Sequence, residues 1–299
     1  MSYVQVEFPL GTADGERIAA ALEQLGALSV TFLDRGDEPV LEPMPGEVRL
    51  WRDTLVRALF DATLPAPRRL EQVRERLAPE ASHAARVEVL AERAWEREWL
   101  RHFHPLRFGR RLYVYPTAWE EPPPEGAIVV WLDPGLAFGT GTHPTTALCL
   151  EAIDSIDWKG RTLVDYGCGS GILAIAAVKL GAASAIAVDL DPQALLALAE
   201  NARRNEVSDK ITPQGVQAPI DPVHCVVANI LAQPLIDLAG RLGAACRDEG
   251  LMILSGILES QAGAVLAAYA AAFRLLEHRR RDGWSCLYLR KARSQPGAD

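Results

Sequence analysis

Thr162-Leu163-Val164-Asp165-Tyr166-Gly167-Cys168-Gly169-Ser170-Gly171, followed by an apolar helical pattern from Ile172 to Leu180, reads as strand, glycine loop and helix. In an open α/β sheet such a loop lies at the carboxyl end of a strand, where ligands bind. Glycine lacks Cβ, so it accepts positive φ and lets backbone come close to a ligand. A dinucleotide loop asks for G-x-G-x-x-G, and its third glycine would fall on Ile172. Here the glycines recur at every second residue behind Asp165. The next apolar run, Ala185 to Val188, ends in Asp189-Leu190-Asp191-Pro192. An acid about 20 residues beyond the glycine loop is placed to bind a ribose diol, which points to Asp189. Asp191, with Pro192 in the first helical turn, reads as an N-cap.

The D-x-G-x-G-x-G spacing resembles motif I of the S-adenosylmethionine-dependent methyltransferases. In that family the loop cups the amino-acid end of the cofactor. A purely structural glycine turn is the alternative.

The chain has 299 residues, room for one large or two smaller domains. Its net charge of −8 disfavours nonspecific nucleic-acid binding and suits a basic partner. The five cysteines include no C-x-x-C pair, so neither a zinc site nor a disulfide framework is expected. Glu7 and Pro9 in the first ten residues, in place of a basic start and an apolar run, argue against a signal peptide. No uncharged apolar run is long enough to span a bilayer. A cytoplasmic protein without a membrane anchor is expected.

Residues 1–90 predict a small α+β unit. Tyr3–Phe8 alternates like a half-buried strand. Asp14–Leu25 has helical spacing, Leu28–Leu33 and Thr54–Phe60 are strands, Arg68–Leu77 is a helix and Arg86–Leu90 a strand. The βαββαβ order is ferredoxin-like. Residues 91–105 predict a linker helix with Trp95 and Trp99 on one face, either packed against a domain or offering a stacking platform. Arg93, Arg97, Arg101, Arg107, Arg110 and Arg111 cluster here, as a solvated face or a binding patch. Phe108–Tyr115 reads as a strand or a hairpin arm.

Ile128–Leu132 leads into Asp133-Pro134-Gly135-Leu136-Ala137-Phe138-Gly139-Thr140-Gly141-Thr142-His143-Pro144-Thr145-Thr146. Three glycines and two prolines exclude regular structure over most of this stretch. Thr145 or Thr146 either caps the helix Ala147–Ile153 or reaches the ligand loop. His143 is either a base or a structural hydrogen-bonder, and the place beside proline favours the latter. Further on, Gln193–Asn205, Pro234–Leu242 and Gln261–Ala272 read as helices. Ile211–Gly215, Cys225–Leu231 and Leu251–Ser255 read as strands, and the amide of Asn229 stands at the ligand-binding edge. Phe273–His278 and Ser285–Arg290 form a closing hairpin.

Together, Leu132 to Thr146, Asp165 to Gly171, Asp189 to Pro192 and Ala228-Asn229-Ile230-Leu231 resemble the bacterial ribosomal protein L11 methyltransferases. Ala137 to Thr146 is the most specific piece, and the likeness covers nearly the whole chain. The resemblance implies an α/β fold: a class I methyltransferase, Rossmann-like sheet of seven strands with the last antiparallel, over residues 106–293. The ferredoxin-like unit at 1–90 would hold the substrate, with a linker at 91–105 and a disordered tail at 294–299. S-adenosyl-L-methionine would be the cofactor, contacted by Thr146, Gly167, Gly169, Asp189 and Asn229. Asn229 would also position the amine, with no general base and no metal. The implied reaction is methylation of lysine side chains and the N-terminal amine of ribosomal protein L11 by a monomer, with no nucleic acid required. Related amide-directed enzymes carry Asn-Pro-Pro-Tyr where this chain has Asn229-Ile230-Leu231-Ala232, which implies a roomier amine pocket. Methylation of another protein or a small-molecule amine, a nicotinamide-dependent oxidoreductase and a noncatalytic scaffold are the alternatives.

Overall fold

The computed structural model describes residues 3–36, 50–77, 84–90, 104–133 and 143–293. The chain divides into two compact units, residues 1–98 and 99–299.

In the first unit, strands β1 (Tyr3–Pro9), β2 (Ser29–Asp34), β3 (Thr54–Asp61) and β4 (Arg86–Leu90) form an antiparallel sheet in the order β2-β3-β1-β4. Helices α1 (Gly15–Gln24) and α2 (Ala66–Arg76) complete the ferredoxin-like βαββαβ order. Period-two alternation puts Val4, Val6, Phe8, Val56, Ala58 and Phe60 on the buried face, where Ile18, Leu22 and Val73 meet them. Asp14 caps α1 by accepting from the N–H groups of Glu16 and Arg17. The second helix starts two residues earlier than its spacing predicts, because Pro67 is suited to a first helical turn. Tyr3, Gln5, Glu7, Leu55, Arg57 and Leu59 lie on the other face, half-exposed.

The second unit opens with a small sheet: β5 (Leu106–Phe108) and β6 (Leu112–Tyr115) form a hairpin, and β7 (Ile128–Trp131) runs parallel to β6. Asn205 seals β7 from the side. Its Oδ1 accepts from Trp131 N–H and its Nδ2 donates to Trp131 O, both at 2.8 Å.

The main sheet contains β8 (Thr162–Tyr166), β9 (Ser184–Asp189), β10 (Ile211–Gly215), β11 (Val223–Asn229), β12 (Cys246–Leu258), β13 (Phe273–Arg281) and β14 (Trp284–Lys291). Their order is β10-β9-β8-β11-β12-β14-β13. The final strand β14 is antiparallel to both neighbours, as expected, whereas β8 to β12 are mutually parallel where paired. One face of this sheet packs under α3 (Pro144–Asp154) and α4 (Ile172–Lys179); the other packs under α6 (Ala232–Asp237), α7 (Ala239–Ala245) and α8 (Ala262–Tyr269). Helix α5 (Pro192–Arg204) contacts β9 and β10. The inner parallel strands β8, β9 and β11 read as largely apolar runs because both faces are covered.

Two sequence expectations change here. The helix expected over Pro234–Leu242 divides at Leu238, the C-cap of α6 and N-cap of α7. The strand expected to end at Ser255 continues to Leu258 through an irregularity between Leu254 and Ile257, where Gly256 takes φ +83°. Most of the expected linker at 91–105, including Trp95 and Trp99, lies outside the described residues, as does the tail at 294–299.

Candidate cofactor and amine site

The parallel strands β8, β9, β11 and β12 all end at one edge of the sheet, and the candidate residues gather there. Gly167, Gly169 and Gly171 have φ of +77°, +51° and +78°. This left-handed alternation explains the spacing of the glycines. Gly167 and Cys168 donate their N–H groups to Val188 O, at 2.7 and 3.0 Å, so the loop folds over the end of β9. Gly169 N donates to Asp189 Oδ2 at 2.9 Å, and Asp191 N to Asp189 Oδ1 at 3.0 Å. Asp189 therefore pins the glycine loop as well as standing at its expected distance from it. Asp191 caps α5 through Gln193 N, as predicted.

Thr146 and Asn229 meet, though 83 residues separate them: Asn229 Nδ2 donates to Thr146 Oγ1 at 3.2 Å. Neither threonine caps α3. That role falls to His143, whose Nδ1 accepts from Thr145 N at 3.3 Å and lies 2.7 Å from Thr145 Oγ1. Burial lowers the pKa of His143, which favours its neutral imidazole form. Its ring stands edge-on to Trp284, centroids 4.8 Å apart. Ser255 Oγ donates to Ser285 O at 2.9 Å and reaches Thr145 O at 3.4 Å, which ties α3 to β12 and β14.

Four buried side-chain polar atoms lack a hydrogen-bond partner among the described residues, and two of them are here: Asp165 Oδ1 and Asn229 Oδ1. Buried polar atoms are seldom left unpaired, since each costs about 1–3 kcal/mol. Two orphaned acceptors at the ends of adjacent strands β8 and β11 fit a ligand that brings donors. Asp165 is fully buried, and its other oxygen accepts from Ala174 N at 3.0 Å. It thereby caps α4, whose N-cap Gly171 has no side chain to do so. Burial raises the Asp165 pKa to about 7. Burial also pushes the Cys168 thiol far up, so this loop cysteine is no thiolate nucleophile.

The sequence reading did not assign roles to Asp165, Leu190, Ser255, Gly256 or Trp284. Leu190, directly after Asp189, is 79 % exposed. An apolar residue between two acids at a strand end was a usable signal. Gly256 had one too, because glycine inside a strand pattern suggests a bulge or a close backbone approach.

The strand order with one antiparallel strand, together with a glycine loop that is braced by an acid from the next strand, defines a class I methyltransferase. The family model of ribosomal protein L11 methyltransferase (PrmA) matches residues 2–292, and the chain belongs to this family. A ribosomal protein L11 methyltransferase from Actinobacillus pleuropneumoniae serotype 3 is 47% identical over 291 residues, 95% of this chain and 97% of that protein. One from Klebsiella pneumoniae is 46% identical over 298 residues, covering 97% of this chain and all of that protein. A crystal structure of the ribosomal protein L11 methylase from Lactobacillus delbrueckii subsp. bulgaricus is 34% identical, with a TM-score of 0.58. It covers 64% of this chain and 100% of that one.

Asn229→Ala separates site chemistry from stability. It loses the bond to Thr146, worth about 1 kcal/mol, and also removes an orphaned oxygen that costs a similar amount. The expected result is an unfolding free energy within about 1 kcal/mol of wild type and methyl transfer reduced about a hundredfold, read by urea titration and label incorporation. Equal methyl transfer would remove Asn229 from the site.

Proposed function

We propose that this protein transfers methyl groups from S-adenosyl-L-methionine to the lysine side chains and N-terminal amine of ribosomal protein L11. The observation that carries this reading is the pair of orphaned acceptors, Asp165 Oδ1 and Asn229 Oδ1, beside a left-handed glycine loop. The residues present fit the cofactor. The loop at Gly167 and Gly169, backed by the Asp165 carboxylate, suits its cationic amino-acid end. Asp189 suits the ribose hydroxyls, exposed Leu190 offers an apolar surface to the base, and Thr146 and Asn229 complete the wall. When bound, the cofactor supplies an electrophilic methyl group on a sulfonium.

The protein's task is then to hold an amine in line with that methyl and to keep the amine neutral. Near-attack positioning accounts for much of the barrier reduction in such reactions. Asn229 Oδ1 accepts an N–H from the amine without taking a proton. No His, Asp or Glu at this edge serves as a strong base in this reading, since the His143 lone pair at Nδ1 is engaged by Thr145. A lysine amine with a pKa near 10.4 is neutral in about one molecule per thousand near pH 7.4, a cost of about 4 kcal/mol. An α-amine, with a pKa of about 7.7–8.0, is far closer to neutral. The rate on lysine should therefore rise about tenfold per pH unit from pH 7 to 9 under chemistry-limited conditions, while the rate on the α-amine levels off near pH 8. A flat lysine profile would point to a dedicated base.

The half-exposed sheet face of the first unit, with Tyr3, Leu55, Leu59 and the Glu7–Arg57 ion pair at 2.6 Å, is the candidate surface for the protein substrate. Among the described residues no helix is long and apolar enough to cross a membrane, and no cluster of ligating side chains could hold a metal. We read the enzyme as a cytoplasmic monomer whose chemistry requires no nucleic acid. The test is transfer of label from methyl-labelled S-adenosylmethionine into ribosomal proteins from cells lacking the enzyme. One labelled protein, methylated at amines and identified by mass spectrometry as L11, supports the assignment. Label in other proteins alone, or in none, overturns it.

A further inference from the structure

The arginines at 107–111 take no part in the methyl-transfer site. The structure places Arg107 and Arg110 at an open cleft of about 620 Å³, whose lining also includes Gly109, Glu151, Asp154, Ser155 and Arg279. The cleft lies between the β5–β6 turn, the C-terminal half of α3 and the edge strand β13. Thr146, in the first turn of helix α3, belongs to the methyl-transfer site, and the eight residue steps from it put Asp154 about 12 Å away along the axis.

Both carboxylates in the lining are already engaged. Asp154 accepts from Arg110 N at 2.5 Å and from Arg111 N at 3.4 Å. The turn can approach it only because Gly109, at φ +68°, has no Cβ, which would stand 2.4 Å from Asp154 Oδ2. Glu151 binds Arg281 at 2.9 Å. Arg279 pairs with Glu277 outside the lining at 2.8 Å. Arg107 is held in place by Arg110 O at 2.9 Å and by the Tyr113 ring. Among the described residues, no carboxylate pairs with the guanidinium of Arg107, Arg110 or Arg111.

The basic character continues along the same sheet face. Arg274 on β13 stands directly opposite Arg290 on β14, a like-charge pairing that ordinarily destabilises a sheet. Arg290 Nε is buried and has no hydrogen-bond partner among the described residues. A chain of net charge −8 thus concentrates unpaired guanidinium groups on one side of one unit. Guanidinium forks match phosphate oxygens two at a time, which a string of lysines would not do.

We propose that this cleft and the adjoining Arg274–Arg290 face bind the phosphate backbone of RNA, at a site separate from the methyl-transfer centre. The anion site follows from the arginines alone. The choice of RNA over an acidic polypeptide rests on the reading of the substrate as a ribosomal protein, a component of an RNA particle. Bound RNA would hold the enzyme close to its substrate without touching the chemistry.

The test uses the full-length protein and a labelled single-stranded RNA oligonucleotide, with anisotropy followed from about 50 to 200 mM salt. The variants are Arg107→Ala/Arg110→Ala and, as a control in exposed α5, Arg203→Ala. The double variant is expected to bind at least about tenfold more weakly and to lower the slope of log affinity against log salt by about 2. Its melting temperature and its methyl transfer to the free protein substrate should match wild type, and Arg203→Ala should bind as wild type does. No binding by wild type at low salt, equal loss in both variants, or displacement by polyglutamate as readily as by unlabelled RNA would overturn the proposal. Methyl transfer by wild type is scored separately, so failure of the methylation reading is distinguishable from failure of the RNA site.

Discussion

Asp165→Asn should flatten the pH dependence of stability and weaken cofactor binding, from one buried oxygen. Burial raises the folded-state pKa of Asp165 to about 7 from 3.8. Its charge environment includes Asp189, which raises it further, while the hydrogen bond from Ala174 N lowers it. In the unfolded chain this carboxyl ionises near pH 4; in the ligand-free fold it does so near pH 7. Between those values the folded state binds more protons than the unfolded state. Stability from this group is therefore fully present below about pH 4, falls as pH rises toward 7, and is constant above that. Three pKa units correspond to a loss on the order of 4 kcal/mol. The Asn variant keeps an oxygen for Ala174 N and has no charge to bury. It should be markedly more stable than wild type at pH 8, and its advantage should shrink by pH 5. A cationic ligand placed against Asp165 reverses the preference by favouring the carboxylate. Wild-type affinity for S-adenosylmethionine should then rise from pH 5 to 7 with proton release and level off above it; the Asn variant should bind weakly at every pH. Melting curves at pH 5 and 8, and calorimetry in buffers of different ionisation enthalpy, read both effects. Parallel melting behaviour of the two proteins across that range would refute the linkage.

Gly256→Ala should cost several kcal/mol and disable the site beyond what unfolding explains. Gly256 has φ +83°, and an added Cβ would sit 2.4 Å from Ile230 O and 2.8 Å from Ile230 N. The obstacle is backbone, which no rotamer change can move aside. The left-handed conformation costs a residue with Cβ about 1–2 kcal/mol, and the forced displacement about 1–3 kcal/mol more. The sum, about 2–5 kcal/mol, should lower the melting temperature by roughly 10 °C in a domain of this size. Ile230 N donates to Ser255 O at 3.1 Å, and Asn229 is the preceding residue. A shift of β11 away from β12 therefore moves the Asn229 amide, which we propose holds the amine. Gly263→Ala is the matched control, since it lies in α8 with nothing within 4 Å of its Cβ. It should stabilise by up to about 1 kcal/mol. A Gly256→Ala protein that melts with wild type would show that the two strand ends separate without resistance.

Much of this protein is legible in short stretches. The strand–loop–helix at 162–180, the acid at Asp189, the N-caps Asp14 and Asp191, and the alternation of the first unit are set by residues within a turn or two of one another. Hydrophobic period and the special φ of glycine are local properties, so they survive in the sequence. The spacing of Asp189 from the glycine loop is likewise a length along the chain.

What only the tertiary structure decided depends on which distant backbones come side by side. Thr146 reaches Asn229 because α3 packs across β11 and β12. A Cβ at position 256 finds no room because of its register against Ile230, just past the end of β11. His143, not Thr145 or Thr146, caps α3, because the helix starts at Pro144 and leaves both threonines inside its first turn. In the sequence the arginines at 107–111 favour a solvated face over a patch, and only the fold sets Arg279 of β13 beside Arg107 and Arg110. Apolar burial and backbone pairing, summed over the sheet, bring these groups together; no local pattern encodes the meeting, because its partners are chosen by the order of the strands.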